Sequence, residues 1–95
     1  MNAPRPLPVE LTQKAEADLL ALEKAERARV KDDITRLATG TLPLGQTKKL
    51  KGFDPPLWEL KTGRHRLFFR PLTDKLLILR AVARKDLDRA LRSFR

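Results

Sequence analysis

Leu57 to Leu72, LWELKTGRHRLFFRPL, gathers most of the residues of this chain that could do chemistry: Lys61, Arg64, His65, Arg66 and Arg70, with Glu59 just before them. In a strand, successive side chains point to opposite faces. Arg64, Arg66, Phe68 and Arg70 then share one face, and His65, Leu67 and Phe69 share the other. On the strand that follows, Arg80 and Arg84 join Ile78 and Val82 on a mixed face, while Leu77, Leu79, Ala81 and Ala83 form an apolar one. The expected result is a sheet face that carries Lys61, Arg64, Arg66, Arg70, Arg80 and Arg84, with Glu59 as its main counter-charge. Like charges opposite one another on neighbouring strands repel, so such a face suits a bound anion. The plainer alternative is the solvated side of an antiparallel sheet.

Three further features bear on the anion. Phe68, among the arginines, fits a stacking platform for a base, and equally an apolar residue that covers a sheet edge or meets a protein partner. His65 has the parity of the core face, the place of a buried or turn-adjacent histidine, and is also a candidate for proton transfer. The run KKLK (Lys48, Lys49 and Lys51) reads as a solvated loop that could grip phosphates.

Charge is unevenly distributed. Residues 1–47 hold seven Lys/Arg and seven Asp/Glu, whereas residues 48–95 hold fourteen and five, so the whole net charge of +9 lies in the second half. A neutral scaffold followed by an anion-binding surface is the natural reading, with nucleic acid or an acidic protein as partner. A membrane is not expected, because no apolar run approaches a span and no long basic amphipathic helix is present. The chain has no cysteine, which rules out disulfides and thiolate metal sites. With no apolar core of a signal peptide near the N-terminus, a cytoplasmic protein is expected.

The elements that must position these residues follow from composition. At 95 residues the chain reads as a single domain, residues 1–95, since two halves would each be too small for a core. Pro4, Pro6 and Pro8 suggest an extended lead-in, Val9–Leu11 a short strand, and Thr12 a helix cap. Residues 13–39 lack Pro and Gly and are rich in helix formers, with apolar faces at Ala15, Leu19, Leu22 and at Val30, Ile34, Leu37. This predicts a helical hairpin or one bent helix, broken near Glu23–Ala25 and stopped by Gly40. Thr41–Phe53 reads as loop. Strands follow at Leu57–Lys61, Arg64–Leu72 and Lys75–Arg84, with a glycine turn at Thr62-Gly63. Asp86 can cap a last helix striped by Leu87, Ala90, Leu91 and Phe94. The fold class is α+β: an N-terminal helical hairpin packed on a small twisted antiparallel β-sheet, with a short C-terminal helix.

From Leu50 to Leu91, the ordered series LKGF, PPLWELKTGRHRLFFR, an apolar strand and AVARKDLDRAL, behind a helical hairpin, resembles the RelE/ParE toxin superfamily of type II toxin–antitoxin modules. The resemblance implies two possible activities. RelE-like members cut mRNA in the ribosomal A site without metal or other cofactor. ParE-like members poison DNA gyrase and are not nucleases. Either implies a cognate antitoxin protein as partner. Arg66 matches the family arginine that contacts the scissile phosphate, and Lys85, beside Arg84, falls near the basic residue that ends the last strand. Lys61 and Lys51 stand near other basic family positions. Glu59 occupies a site that is lysine in one nuclease type and glutamate in many relatives. The chain departs from the pattern in having no tyrosine after the last strand, where Ala90 or Leu91 falls, and in placing His65 where an aromatic usually precedes the arginine.

RNA cleavage through its own 2′-OH needs a base for that hydroxyl, neutralisation of the phosphorane and an acid for the 5′-oxygen. Arginines supply the second through paired hydrogen bonds. Lys85, Glu59 and His65 are candidates for the first and third, and a ribosome that positions the message would add proximity. The expected function is therefore a RelE-like, ribosome-dependent mRNA endoribonuclease. The catalytic candidates are Arg66, Lys85, Arg84, Glu59 and His65, and the RNA-binding ones Lys48, Lys49, Lys51, Lys61, Arg64, Phe68, Arg70 and Arg80. The alternatives are a gyrase-binding toxin and a basic binding module without activity.

Overall fold

Thr12 shows how the chain starts to fold. Its hydroxyl oxygen accepts a hydrogen bond from the Ala15 amide at 3.1 Å, which caps helix α1 (Gln13–Leu20), and donates one to the Leu79 carbonyl at 2.8 Å, which ties that cap to the sheet. The computed structural model describes residues 7–94; the lead-in prolines Pro4 and Pro6 lie outside the described residues. Helix α2 (Lys24–Thr39) follows after a short break and ends at Gly40, whose φ of 72° is the left-handed conformation that glycine adopts without a Cβ penalty. The hairpin reading holds, with a side-chain clasp: Arg27 donates from Nε to the Leu19 carbonyl and from Nη2 to those of Leu20 and Leu22, so the α1 C-terminus is satisfied by α2.

The five strands are β1 (Val9–Leu11), β2 (Thr47–Leu50), β3 (Leu57–Thr62), β4 (His65–Pro71) and β5 (Leu76–Ala83). They form one sheet in the order β1-β5-β4-β3-β2. β2 to β5 pair antiparallel, and β1 joins β5 in parallel, so the sheet is mixed. A 3₁₀ turn (Arg84–Asp86) leads into helix α3 (Leu87–Arg92).

Several sequence expectations change here. The segment read as loop contains β2, whose Lys48 and Lys49 lie opposite Glu59 and Trp58. Exposed lysines suit an edge strand, where they discourage pairing with another chain. The hairpin turn is Gly63–Arg64 rather than Thr62-Gly63, so Arg64 sits in the turn and not on a strand. Asp86 makes no side-chain cap; its carboxylate instead lies 3.6 Å from Arg89.

The face assignment of β5 also changes, for a specific reason. Phe68 pairs with Arg80 but Phe69 pairs with Ile78, so Leu79 is an extra residue, a β-bulge. A bulge shifts the alternation by one. Leu76 and Ile78 before it and Ala81 after it therefore all face α1 and α2, in a core with Ala15, Leu19, Val30, Ile34, Leu60, Leu67 and Phe69. Trp58 packs on this core, its ring 6.3 Å from that of Phe69.

The opposite face is not the expected block of cations. It is a second apolar core, Leu57, Phe68, Val82 and Ala90, roofed by Leu87, Leu91 and Phe94 of the C-terminal segment and flanked by Leu50 and Phe53. The stripe on the last helix is thus used to bury the sheet's second face. Both faces being covered, the cations are moved to the ends and edges of the strands.

Candidate functional site

The β3–β4 turn, the start of β4 and the end of β5 come together at one end of the sheet, beside the first turn of α2. An open cleft there is lined by Glu26, Gly63, Arg64, His65, Arg66, Ala83, Arg84 and Lys85. Three separate segments supply it, and hydrogen bonding fixes their mutual position: the Arg84 amide donates to the Arg64 carbonyl at 2.9 Å, which locks the 3₁₀ turn against the hairpin turn. Gly63 sits with φ 60° and a Cβ there would lie 3.3 Å from Arg29 Nε, so the turn is tight and an extra cation flanks it.

Arg66 is the best-defined member. Its Nε lies 3.3 Å from Glu59 Oε1, and its Nη1 donates to the carbonyls of His65 (3.0 Å) and Gly63 (3.4 Å). Both side chains of the pair are nearly buried, with Glu59 itself 6% exposed. A guanidinium has five N–H donors, so contacts at Nε and Nη1 orient it without exhausting it. His65 is buried beside it, its Nε2 3.6 Å from Glu26 Oε2. Arg64, Arg84 and Lys85 form no ion pair among the described residues. The cleft therefore has several unneutralised cations against one carboxylate on its wall, an arrangement that attracts a polyanion and opposes charge build-up on a phosphate.

Of the expected catalytic residues, Arg66, His65, Arg84 and Lys85 line this cleft, and Glu59 stands behind Arg66 as its partner. Of the expected RNA-binding residues, Arg64 lines it, and Lys61 is exposed directly across the strands from Arg66. The rest are elsewhere. Lys48 and Lys49 are on the exposed edge strand β2, and Lys51 is just beyond it. Arg70 is near the far end of β4, with its Nε buried and without a hydrogen-bond partner among the described residues.

Two assignments are overturned. Phe68 is wholly buried and meets Phe94 edge-on at 5.7 Å, so it cannot stack on a base; the α3 segment occupies the face it would have used. Arg80 is spent inside the protein. Its Nε donates to Asp18 Oδ2 at 2.8 Å and its Nη2 to Oδ1 at 3.2 Å, while Oδ2 also accepts the Ala81 amide at 2.9 Å. Arg80 lies past the stretch of β5 that β1 pairs, where α1 presents that carboxylate, and the hydrogen bond to Asp18 holds the guanidinium pKa above its ordinary value.

Glu26, Arg29 and Ala83 are site residues that the sequence did not disclose. No spacing links residue 26 to residue 65; only the packing of α2 against the β3–β4 end brings them together. Among the described residues no group of three histidine or acidic side chains is placed to hold a metal ion, and no helix is long and apolar enough to cross a membrane.

Among solved structures the chain is similar to one in the RelBE2 toxin–antitoxin complex from Mycobacterium tuberculosis, at 27% identity and a TM-score of 0.69, over 85% of this chain and 94% of that one. It is similar in fold to a chain of the archaeal RelE-RelB complex from Pyrococcus horikoshii (22% identity, TM-score 0.69, 84% of this chain and 97% of that one). It also matches a chain of the Escherichia coli DinJ-YafQ toxin-antitoxin complex (18% identity, TM-score 0.70, 87% and 98%). No family model matches the sequence, and no curated protein does. The shared architecture over nearly the whole length of these chains, with the 27% identity to the mycobacterial one, bears out the resemblance to the RelE/ParE toxin superfamily.

Proposed function

We propose that this protein is the toxin of a type II toxin–antitoxin module and acts in the cytoplasm as a ribosome-dependent mRNA endoribonuclease. The supporting observation is the meeting of His65, Arg66, Arg84 and Lys85 in one cationic cleft. Its partners in this reading are the message, the ribosome and a cognate antitoxin, the last in keeping with the toxin–antitoxin complexes it is similar to.

The chemistry divides among these residues. The neutral imidazole of His65 takes the proton of the 2′-hydroxyl as the 2′-oxygen bonds to phosphorus. Arg66, its plane fixed by Glu59 and by the turn carbonyls, donates to the phosphorane oxygens as their negative charge grows. The P–O5′ bond then breaks, and the ammonium of Lys85 gives its proton to the departing 5′-oxygen. The products are a 2′,3′-cyclic phosphate and a 5′-hydroxyl; proton exchange with solvent resets both groups. Arg64 and Arg84 hold the flanking phosphates.

Induction in growing cells, followed by mapping of mRNA 5′ ends, tests this. Cuts at restricted codon positions are expected, lost in both Arg66→Ala and Lys85→Gln, the second being an exposed residue whose change spares the fold. Growth arrest with intact message would remove the proposal. It would instead favour a gyrase-directed toxin, a reading supported by the absence of any tyrosine in the chain and by the engagement of Arg66 with Glu59. Inhibition of DNA supercoiling by the purified protein would then be measurable.

A further inference from the structure

We infer that Glu26 is a positioning residue for His65: its carboxylate fixes the imidazole with Nε2 protonated and turned toward α2, leaving Nδ1 as the atom that accepts the substrate proton. This rests on the nuclease reading of the cleft for its consequence, but not for the contact itself. Glu26 is the one carboxylate among the residues lining the cleft, and its Oε2 is 3.6 Å from His65 Nε2, a small ring rotation from hydrogen-bond reach. The other charged groups that share this side with the imidazole are cations: Arg29 from α2, Arg64 from the turn, Arg66 from β4, and Arg84 and Lys85 from the 3₁₀ turn. His65 also lines a second cleft with Asp18 and Asp86, but Asp18 is taken by Arg80 and the Ala81 amide, and Asp86 lies 3.6 Å from Arg89. The cations cannot accept a hydrogen bond and the two aspartates have partners of their own, so Glu26, at 3.6 Å, is the carboxylate placed to hold the ring.

The placement of Glu26 in the helix supports this role. It lies in the first turn of α2, whose N-cap is Glu23 without a side-chain cap. A glutamate at this position commonly reaches back to its own helix terminus; here its carboxylate lies toward the sheet. Negative charge there also complements the positive end of a sixteen-residue helix. His65 in turn is held by β-pairing, opposite Thr62 on β3 and Ala83 on β5, and its side chain is only 11% exposed. A ring so enclosed can still flip, and flipping would present the protonated nitrogen to the substrate. A carboxylate on one side removes that ambiguity, as an oriented acid–base histidine needs.

The chain has a single histidine, which makes the test direct. The ¹⁵N spectrum of the imidazole at mildly alkaline pH should show the Nε2–H tautomer in the wild type and a mixture in Glu26→Gln, with Glu26→Asp between them. In a translation extract, Glu26→Gln should lower kcat for mRNA cleavage about 10–100-fold with KM held. In a His65→Gln background the same change should cost little, because Glu26 acts only through that ring. A tautomer unchanged by Glu26→Gln, or a full additional loss in the His65→Gln background, would overturn the assignment. A chain that shows the tautomer bias but cuts no message would keep the contact and sink the nuclease reading, so the two failures are told apart.

Discussion

Arg80 and Arg84 are four residues apart on one stretch of chain and face opposite conditions. Arg80 lies at the bulge of β5, with two nitrogens on Asp18 and the neighbouring amide on the same carboxylate. Arg84 lies one residue past the strand, on the wall of the cleft, with no ion pair among the described residues. The first cation closes a gap where β1 ends and the edge of β5 would otherwise be bare. The second has no charged side-chain partner among the described residues. The contrast shows that a count of basic residues does not measure an anion-binding site; what counts is which guanidinium groups the fold leaves unsatisfied. Arg66 stands between the two cases, oriented by a carboxylate yet still on the cleft wall.

The largest effect should come from Arg66. Arg66→Ala should lower mRNA cleavage by about 10²–10³-fold, the scale of losing one donor to developing charge. It should also destabilise by about 3 kcal/mol, because Glu59 is left buried and unpaired. The double variant Glu59→Leu/Arg66→Met should regain the stability, read by chemical denaturation, without the activity. If the single variant keeps full cleavage, Arg66 belongs with Arg80 as structure alone.

Phe68→Ala should cost about 3–5 kcal/mol, the price of emptying an aromatic site in a core. A stacking residue would behave in the reverse way, with little loss of stability and weaker RNA binding, so the same denaturation curve separates core from platform. Asp18→Ala, which orphans both Arg80 and the Ala81 amide, should cost about 1–3 kcal/mol while cleavage per folded molecule holds. Arg84→Ala should do the opposite: stability within about 0.5 kcal/mol of wild type, and a salt dependence of RNA binding shallower by about one phosphate contact.

The smallest effect is at the far edge, where Nζ of Lys75, the residue before β5, meets Oε2 of Glu10 on β1 at 2.6 Å. That hydrogen bond raises the ammonium pKa above 10.5. A raised pKa means the stabilisation is whole below 10.5 and is lost as pH climbs through the raised value. Wild type should therefore melt slightly above Lys75→Gln at neutrality, and the gap should close as pH climbs through the raised value.

Much of the fold was legible from local signals. Thr12 as a cap, Gly40 as a helix stop, the hairpin over residues 13–39 and the apolar stripe from Leu87 to Phe94 each depend on residues a few positions apart. β2 was missed because a four-residue edge strand with two exposed lysines looks like a loop until β3 offers it an edge. The faces of β5 were misread because strict alternation has no way to register the bulge at Leu79. Phe68 was offered a base when the chain's own Phe94 already covered it.

By itself, the sequence determined that the second half of the chain would be cationic, that a helical hairpin would precede a strand-rich segment, and that His65 and Arg66 would be adjacent at the start of a strand. Those are matters of composition and of contacts between near neighbours. Only the tertiary structure decided which cations would be left free, because neutralisation of Arg80 by Asp18 and approach of Glu26 to His65 join residues 62 and 39 positions apart. Such pairs form when packed helices and a bulged strand bring distant segments together, and nothing in the local chain encodes their distance.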